Sequence, residues 1–454
     1  MLALTAVTVA VLPGCAPQDT VAIAAPPLPP MGWNSWNSGM ELTEDSVRQT
    51  IDAMVSSGMR DAGYRYVNLD AGWAAPARDA DGRLVADPDR FPNGLEPLVR
   101  YAHDRGLKFG LYSSPFNETC GQGRGTASLG HEAQDAATFA AWGVDYLKYD
   151  WCRDAVDHDE QVRVFGAMGK ALRDSGRKIV YSINPNSSDD VTAGARYDWS
   201  GIADVVRSSG DLLPVWRYVL PPMGSNDPFN GAGFNGVPEQ FSQAVADTAE
   251  HPYRADPDML VVGVSWREFF DNHLQLMREQ AQAGALNPDQ LAALRPALAL
   301  GPEVLRQLTA TQPGLTEDEQ RSHFSLWAML GAPLLAGNDL RSMSSATREI
   351  LTNREVIDID QDVQLSRPHA VAGAPRIWAR ALADSSVAVA FFNNSDASVD
   401  LATTAHAAGL EPVPCYSVRD LWTHAESTTT GAITADSLAP HAVQLVRVRT
   451  GCTS

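Results

Sequence analysis

Along the first three-quarters of the chain, short apolar runs alternate with amphipathic stretches. The runs read as buried parallel strands at Met31–Trp33, Tyr66–Asp70, Lys108–Tyr112, Tyr146–Asp150, Ile179–Ile183, Asp204–Ser208, Met259–Val262 and Pro333–Ala336. Between them apolar residues recur at helical spacing over Glu44–Ser57, with Thr43 as its cap, and over Leu95–Arg105, Glu132–Trp142 and Asp159–Asp174. His323–Leu330 belongs to a further long helix just before the eighth strand. Eight strands alternating with helices over roughly 330 residues predict a (β/α)8 TIM barrel of the α/β class. A doubly wound open sheet is the alternative, but no Gly-rich phosphate loop follows the first strand.

Beyond Val363 the helical spacing stops. Ala374–Arg380, Ser386–Asn393, Ser398–Thr403 and Val443–Val448 alternate or are β-branched, and turn residues separate them. That pattern predicts a small antiparallel β-sandwich. The expected organisation is an export signal over residues 1–25, a barrel over 26–364 and an antiparallel β domain over 365–454. Two stretches break the barrel rhythm. Pro214–Arg254, rich in Gly, Pro and Asn, should be a long loop and short helix over the mouth. Residues of about 268–311, rich in Ala, Leu and Gln, read as a helical insertion after the seventh strand.

Charge and cysteine usage narrow the setting. Acidic residues number 55 against 35 basic, for a formal charge of −20 in 454 residues, which excludes nucleic acid and anionic membrane as partners. Leu2–Leu12 is apolar but too short to span a bilayer, and Ala22-Ile23-Ala24 offers small residues for cleavage. Leu12-Pro13-Gly14-Cys15 half resembles a lipoprotein site. The expectation is a secreted, extracellular protein, with a lipid anchor at Cys15 as the alternative. Five cysteines suit an oxidising compartment. With Cys15 in the export segment, the simplest pairing is Cys120–Cys152 and Cys415–Cys452. No Cys/His spacing indicates a metal, and no cofactor is expected.

The chemistry gathers at the carboxyl ends of the predicted strands: Asp70, Tyr112, Lys148, Asp150, Asn184, Arg207, Asp211 and Asp258. In a barrel that end is the catalytic face. One strand-terminal Asp is an ordinary turn former, but this many at equivalent ends is not. Lys148 and Asp150 are two apart on a strand, so they face the same side and the cation favours an ionised carboxylate.

Several runs resemble glycoside hydrolase family 27, the α-galactosidases and α-N-acetylgalactosaminidases. They are Met31-Gly32-Trp33-Asn34-Ser35-Trp36, Tyr66-Val67-Asn68-Leu69-Asp70, Thr119-Cys120, and Trp142 to Asp150 with Cys152. Arg207-Ser208-Ser209-Gly210-Asp211, Asp256-Pro257-Asp258-Met259-Leu260 and Ser322 to Ala328 follow in family order. The resemblance implies a retaining α-glycosidase acting on an α-linked oligo- or polysaccharide. In it Asp150 is the nucleophile and Asp211 the general acid/base, two carboxyls about 5–5.5 Å apart. It implies that Trp36 stacks on the sugar, that Asp70, Tyr112, Lys148, Arg207, Asp258 and Met259 line the pocket, and that Cys120–Cys152 flanks the nucleophile. The expected protonation is Asp150 ionised beside Lys148 and Asp211 protonated, provided a neighbouring carboxylate outweighs Arg207.

Three departures bear on specificity. Ala71-Gly72 stands where the family usually has a second aspartate and a cysteine, Ser113 to Phe116 lacks an expected aspartate, and Asn184-Pro185-Asn186 replaces Glu-Trp. Asn184 therefore makes the sugar contacts at that position differently. An opened subsite at Ala71 also suits an isomaltose-releasing dextranase. A third reading, a barrel that only binds carbohydrate, does not need both Asp150 and Asp211.

Overall fold

The computed structural model describes residues 28–120, 125–153, 155–187, 189–217, 234–246, 251–282 and 314–452. The export signal and Cys15 lie outside them, as do residues 218–233 and 247–250 of the stretch over the mouth and 283–311 of the insertion.

Eight parallel strands form one curled sheet: β1 Met31–Asn34, β2 Tyr66–Asn68, β3 Lys108–Ser113, β4 Tyr146–Asp150, β5 Val180–Asn184, β6 Val205–Arg207, β7 Arg254–Asp256 and β8 Leu334–Ala336. The order is β8-β1-β2-β3-β4-β5-β6-β7. The two ends meet just past β7, where the Leu260 amide donates to the Leu335 carbonyl (2.8 Å) and the Gly337 amide to the Leu260 carbonyl (3.0 Å). Helix Glu44–Ser56 begins where its cap predicts: Thr43 Oγ1 accepts from the Ser46 amide at 3.2 Å and Ser46 Oγ from the Thr43 amide at 2.9 Å.

The seventh strand corrects the sequence reading. It is Arg254–Asp256, not the apolar run Met259–Val262. Periodicity favours the apolar run, but β7 buries charged groups instead, with Arg254 and Asp256 only 8% and 7% exposed. Met259–Val262 is buried in the turn that follows, and only Leu260 takes part in barrel closure.

The strands after residue 368 form a sandwich: β9 His369–Val371, β10 Ala374–Ala381, β11 Val387–Phe392, β12 Val399–Thr404, β13 Tyr416–Asp420, β14 Glu426–Thr429, β15 Ala432–Leu438 and β16 Val443–Thr450. One antiparallel sheet runs β9-β10-β11-β16-β13-β14, and β12 pairs with β15 in the other. Strand β11 explains its unbroken apolar sequence. Ala388, Ala390 and Phe392 join the barrel core, whereas Val387, Val389 and Phe391 join the core between the two sheets. Sandwich and barrel thus share one hydrophobic seam, reinforced by buried Arg380, which donates to the Ala328 carbonyl near the end of helix Glu317–Leu330 (2.6 Å). The disulfide Cys415–Cys452 ties the start of β13 to the residues after β16, with Cα atoms 5.5 Å apart.

Candidate active site

Strand register sets the site. Tyr112 pairs with Lys148 and Lys148 with Ser182, so these three stand at one level across β3, β4 and β5. Asp150 pairs with Asn184, and Arg207 with Asp256. A cavity at the carboxyl ends is lined by Lys148, Asp150, Asn184, Arg207, Asp258 and Met259, together with Asn34, Asp256 and deeper barrel side chains. Six of the ten polar, charged and sulfur-bearing candidates therefore converge on one wall.

The other four lie around it. Asp70 is 2% exposed, and its Oδ2 accepts from Lys148 Nζ (2.9 Å) and Asn34 Nδ2 (3.0 Å). Tyr112, buried, has Lys148 Nζ 5.4 Å from its ring centroid. Asp211 is at the rim with its side chain 59% exposed, and Trp36 is partly exposed on the 3-10 turn Trp36–Ser38 after β1.

Two cations organise the carboxylates. Lys148 lies between Asp70 at 2.9 Å and Asp150 at 3.4 Å. Burial works against the lysine charge, but the Asp150 and Asp70 carboxylates hold it protonated well above the usual lysine range. Arg207 lies between Asp211 at 2.7 Å and Asp258 at 3.1 Å. Asp258 adopts a left-handed φ of 84°, which turns its carboxylate back to accept from the Met259 amide (2.7 Å) and the Leu212 amide (2.8 Å). Asp150 Oδ1 is buried and without a hydrogen-bond partner among the described residues. A carboxylate oxygen left with an open lone pair at a cavity wall is available to an electrophile.

The protonation pattern corrects the expectation. Burial raises the Asp150 carboxyl to about 6, with Lys148 opposing and Asp70 adding to the rise. Desolvation by the surrounding barrel mouth pushes Asp211 up even though its side chain is 59% exposed, but the Arg207 charge and hydrogen bond outweigh it and hold this carboxyl below the ordinary aspartate value. The spacing of four residues between Arg207 and Asp211 did not reveal that the guanidinium would make direct contact. Burial raises Asp256 to about 6 as well, against the pull of Arg207.

The sequence pattern hides Asp256 as a site residue, because it puts the seventh strand after it. Correct placement makes it a strand-terminal carboxylate like the others. Gln240 was missed as well. From helix Val237–Ala246 its Nε2 donates to the Gly210 carbonyl (2.6 Å) and the Pro257 carbonyl (2.7 Å), which pins the loops carrying Asp211 and Asp258 to each other. No sequence signal marks a glutamine for that task. Among the described residues no cluster of His, Cys, Asp or Glu has the arrangement to hold a metal ion.

Cys120 and Cys152 are bonded, with Cα atoms 5.4 Å apart, which ties the loop after β3 to the second residue beyond Asp150. Replacing both by serine should lower kcat/KM by about 10- to 100-fold, since an ångström of misplacement at a reacting group costs that much. Steady-state kinetics beside the wild-type chain measures this, and undiminished activity would show that the bond does not position Asp150.

Comparison with known proteins places this geometry. A family profile described as Alpha galactosidase A matches residues 28–270 and 297–362, and one described as Alpha galactosidase C-terminal beta sandwich domain matches 372–448. The α-galactosidase of Cyamopsis tetragonoloba is 36% identical over 418 residues, covering 90% of this chain and 83% of that protein. α-Galactosidase A of Cellvibrio japonicus is 35% identical over 379 residues, covering 82% and 77%. The crystal structure of α-galactosidase I from Mortierella vinacea matches with a TM-score of 0.75 at 29% identity, covering 96% of this chain and 99% of that one.

Proposed function

The chain belongs to the α-galactosidase family of glycoside hydrolases, and from that premise we propose that it releases terminal α-linked galactose from oligo- or polysaccharides with retention of configuration. Asp150 attacks the anomeric carbon while Asp211 gives its proton to the departing glycosidic oxygen. The resulting glycosyl–Asp150 ester is hydrolysed by a water whose proton Asp211 takes back, so both carboxyls end as they began. The observation that carries the reading is the pair of ion clusters, Asp70–Lys148–Asp150 and Asp211–Arg207–Asp258, with Asp150 Oδ1 buried and without a hydrogen-bond partner among the described residues. Trp36, Asn184 and Met259 serve as sugar contacts. Export to an oxidising compartment completes the reading, supported by the two disulfides.

One observation keeps a second substrate in view. Ala71, buried next to Asp70, offers only a methyl group, and its amide donates to Asp70 Oδ1 at 2.9 Å. A glucose substituted at O6 suits such an opening, as in dextran. The test is turnover of 4-nitrophenyl α-galactoside and of dextran, with the first-formed anomer read by proton NMR. The proposal expects galactose released as the α-anomer. The β-anomer as first product would overturn retention, and isomaltose from dextran without galactoside turnover would move the substrate to the second reading.

A further inference from the structure

Residues 271–296 fall between the two stretches matched by the barrel family profile, yet the first of them reach the mouth of the barrel. They belong to helix Trp266–Gln282, which buries Trp266, Phe269, Phe270 and Leu274. His273 follows Phe269 by one turn. Its Nδ1 lies 2.8 Å from the Phe269 carbonyl, and the two rings are 3.9 Å apart between centroids. A carbonyl only accepts, so Nδ1 carries the hydrogen and the ring plane is fixed from its own helix. On its other side the imidazole meets Trp36 edge-to-face, with centroids 5.8 Å apart and planes at 80°.

The helix lies directly against the turn that carries Trp36. A Cβ at Gly39, which has a φ of 65°, would come within 2.0 Å of Asn272 Nδ2. Glycine suits that left-handed backbone, and any side chain there would displace Asn272. Burial moves the His273 imidazole below the ordinary histidine value, with the Phe269 carbonyl and the Asp211 charge working in the opposite direction. At neutral pH the contact is therefore one uncharged aromatic ring against another.

We infer that His273 is a positioning residue that pins the plane of Trp36, so that a segment outside the family-matched stretches sets how tightly the sugar is held. The inference rests on the galactosidase reading with Trp36 as the stacking surface. An unpinned indole at a rim would have to be ordered on each binding event, and that ordering is subtracted from affinity. The contact is made before and during the reaction alike, so its loss weakens binding without slowing the chemical step.

The test compares His273→Ala, His273→Phe and His273→Gln on 4-nitrophenyl α-galactoside. Loss of an edge-to-face pair should raise KM about three- to tenfold in the alanine variant, with kcat little changed. Phenylalanine, which keeps a ring edge, should restore KM, whereas glutamine, which keeps hydrogen bonding alone, should not. In a Trp36→Ala background, His273→Ala should add nothing further. Rescue by glutamine instead of phenylalanine, or an undiminished effect in the Trp36→Ala background, would overturn the inference. Should the alanine variant not fold, the phenylalanine–glutamine contrast reads the same question. Wild-type turnover is scored first: its absence defeats the galactosidase reading, whereas an active wild type with an indifferent His273→Ala defeats only the role of His273.

Discussion

Asp150→Ala and Asp211→Ala will both cripple hydrolysis of an unactivated galactoside, and they will fail in different ways. Without Asp150 there is no covalent acceptor, and a loss on the order of 10⁴–10⁶-fold is expected, the scale seen when a nucleophile is removed. Azide entering the vacated space should yield a glycosyl azide of inverted configuration from this variant alone. Without Asp211 the loss should be about 10²–10⁴-fold on a poor leaving group and small on a nitrophenolate, which departs without a proton. Restoration of the Asp150 variant by a good leaving group would reverse the assignment.

The pH profiles should separate the two as well. Asp150 is raised to about 6 by burial against the pull of Lys148, and Asp211, at the rim, is held low by Arg207. The productive enzyme has Asp150 ionised and Asp211 protonated, so its proton sits on the group that holds it less well. Two coupled carboxyls in that state give a bell whose basic limb belongs to the pair's higher value. Activity of the wild-type chain on an unactivated substrate should therefore fall as pH rises through about 6. Asp211→Ala on an activated substrate needs only an ionised Asp150. Its kcat/KM should instead rise with pH and level off, with the midpoint below that value because one repelling carboxylate is gone. Profiles of the same shape from the two enzymes would contradict this account.

Ala71→Asp should change the substrate. The new carboxylate would sit beside Asp70 at the end of β2, where the family usually has an aspartate, within reach of the O4 and O6 side of a galactosyl ring. A charge-assisted hydrogen bond there is worth about 1.5–3 kcal/mol. Expressed in the transition state, that is about ten- to a hundredfold in kcat/KM for a terminal galactoside. The same side chain should crowd an O6-linked sugar and depress turnover of dextran. Parallel kinetics on 4-nitrophenyl α-galactoside and dextran decide the matter. If the wild-type chain is already efficient on the galactoside and the substitution helps neither substrate, the open-subsite idea is wrong.

Much of the site was legible because strand ends are legible. Lys148 and Asp150 face one way by the two-residue period alone, and their cavity neighbours Asn184 and Arg207 end the next two strands. The seventh strand shows where that reasoning stops. A charged strand buried in the barrel looks polar in sequence, whereas the apolar turn beside it carries the pattern expected of a strand and hides Asp256. Strand β14, Glu426–Thr429, escaped for a related reason: it is an edge strand of polar residues with no buried face to announce it.

The chain's own pattern predicted the barrel and the sandwich from periodicity within short windows and set Lys148 and Asp150 on one side of a strand. The cysteine count suggested both disulfides, whereas the roles given to Asp150 and Asp211 came from the family resemblance. Tertiary structure alone decided which carboxylate keeps a proton, which side chains pin the mouth, and how the sandwich docks. Asp211 is held below the ordinary aspartate value because Arg207 reaches it in space, Gln240 bridges two loops that are 47 residues apart between Gly210 and Pro257, and His273 meets Trp36 from the far side of the barrel sequence. Charge–charge energies depend on distance and burial, and neither quantity exists until the chain has folded.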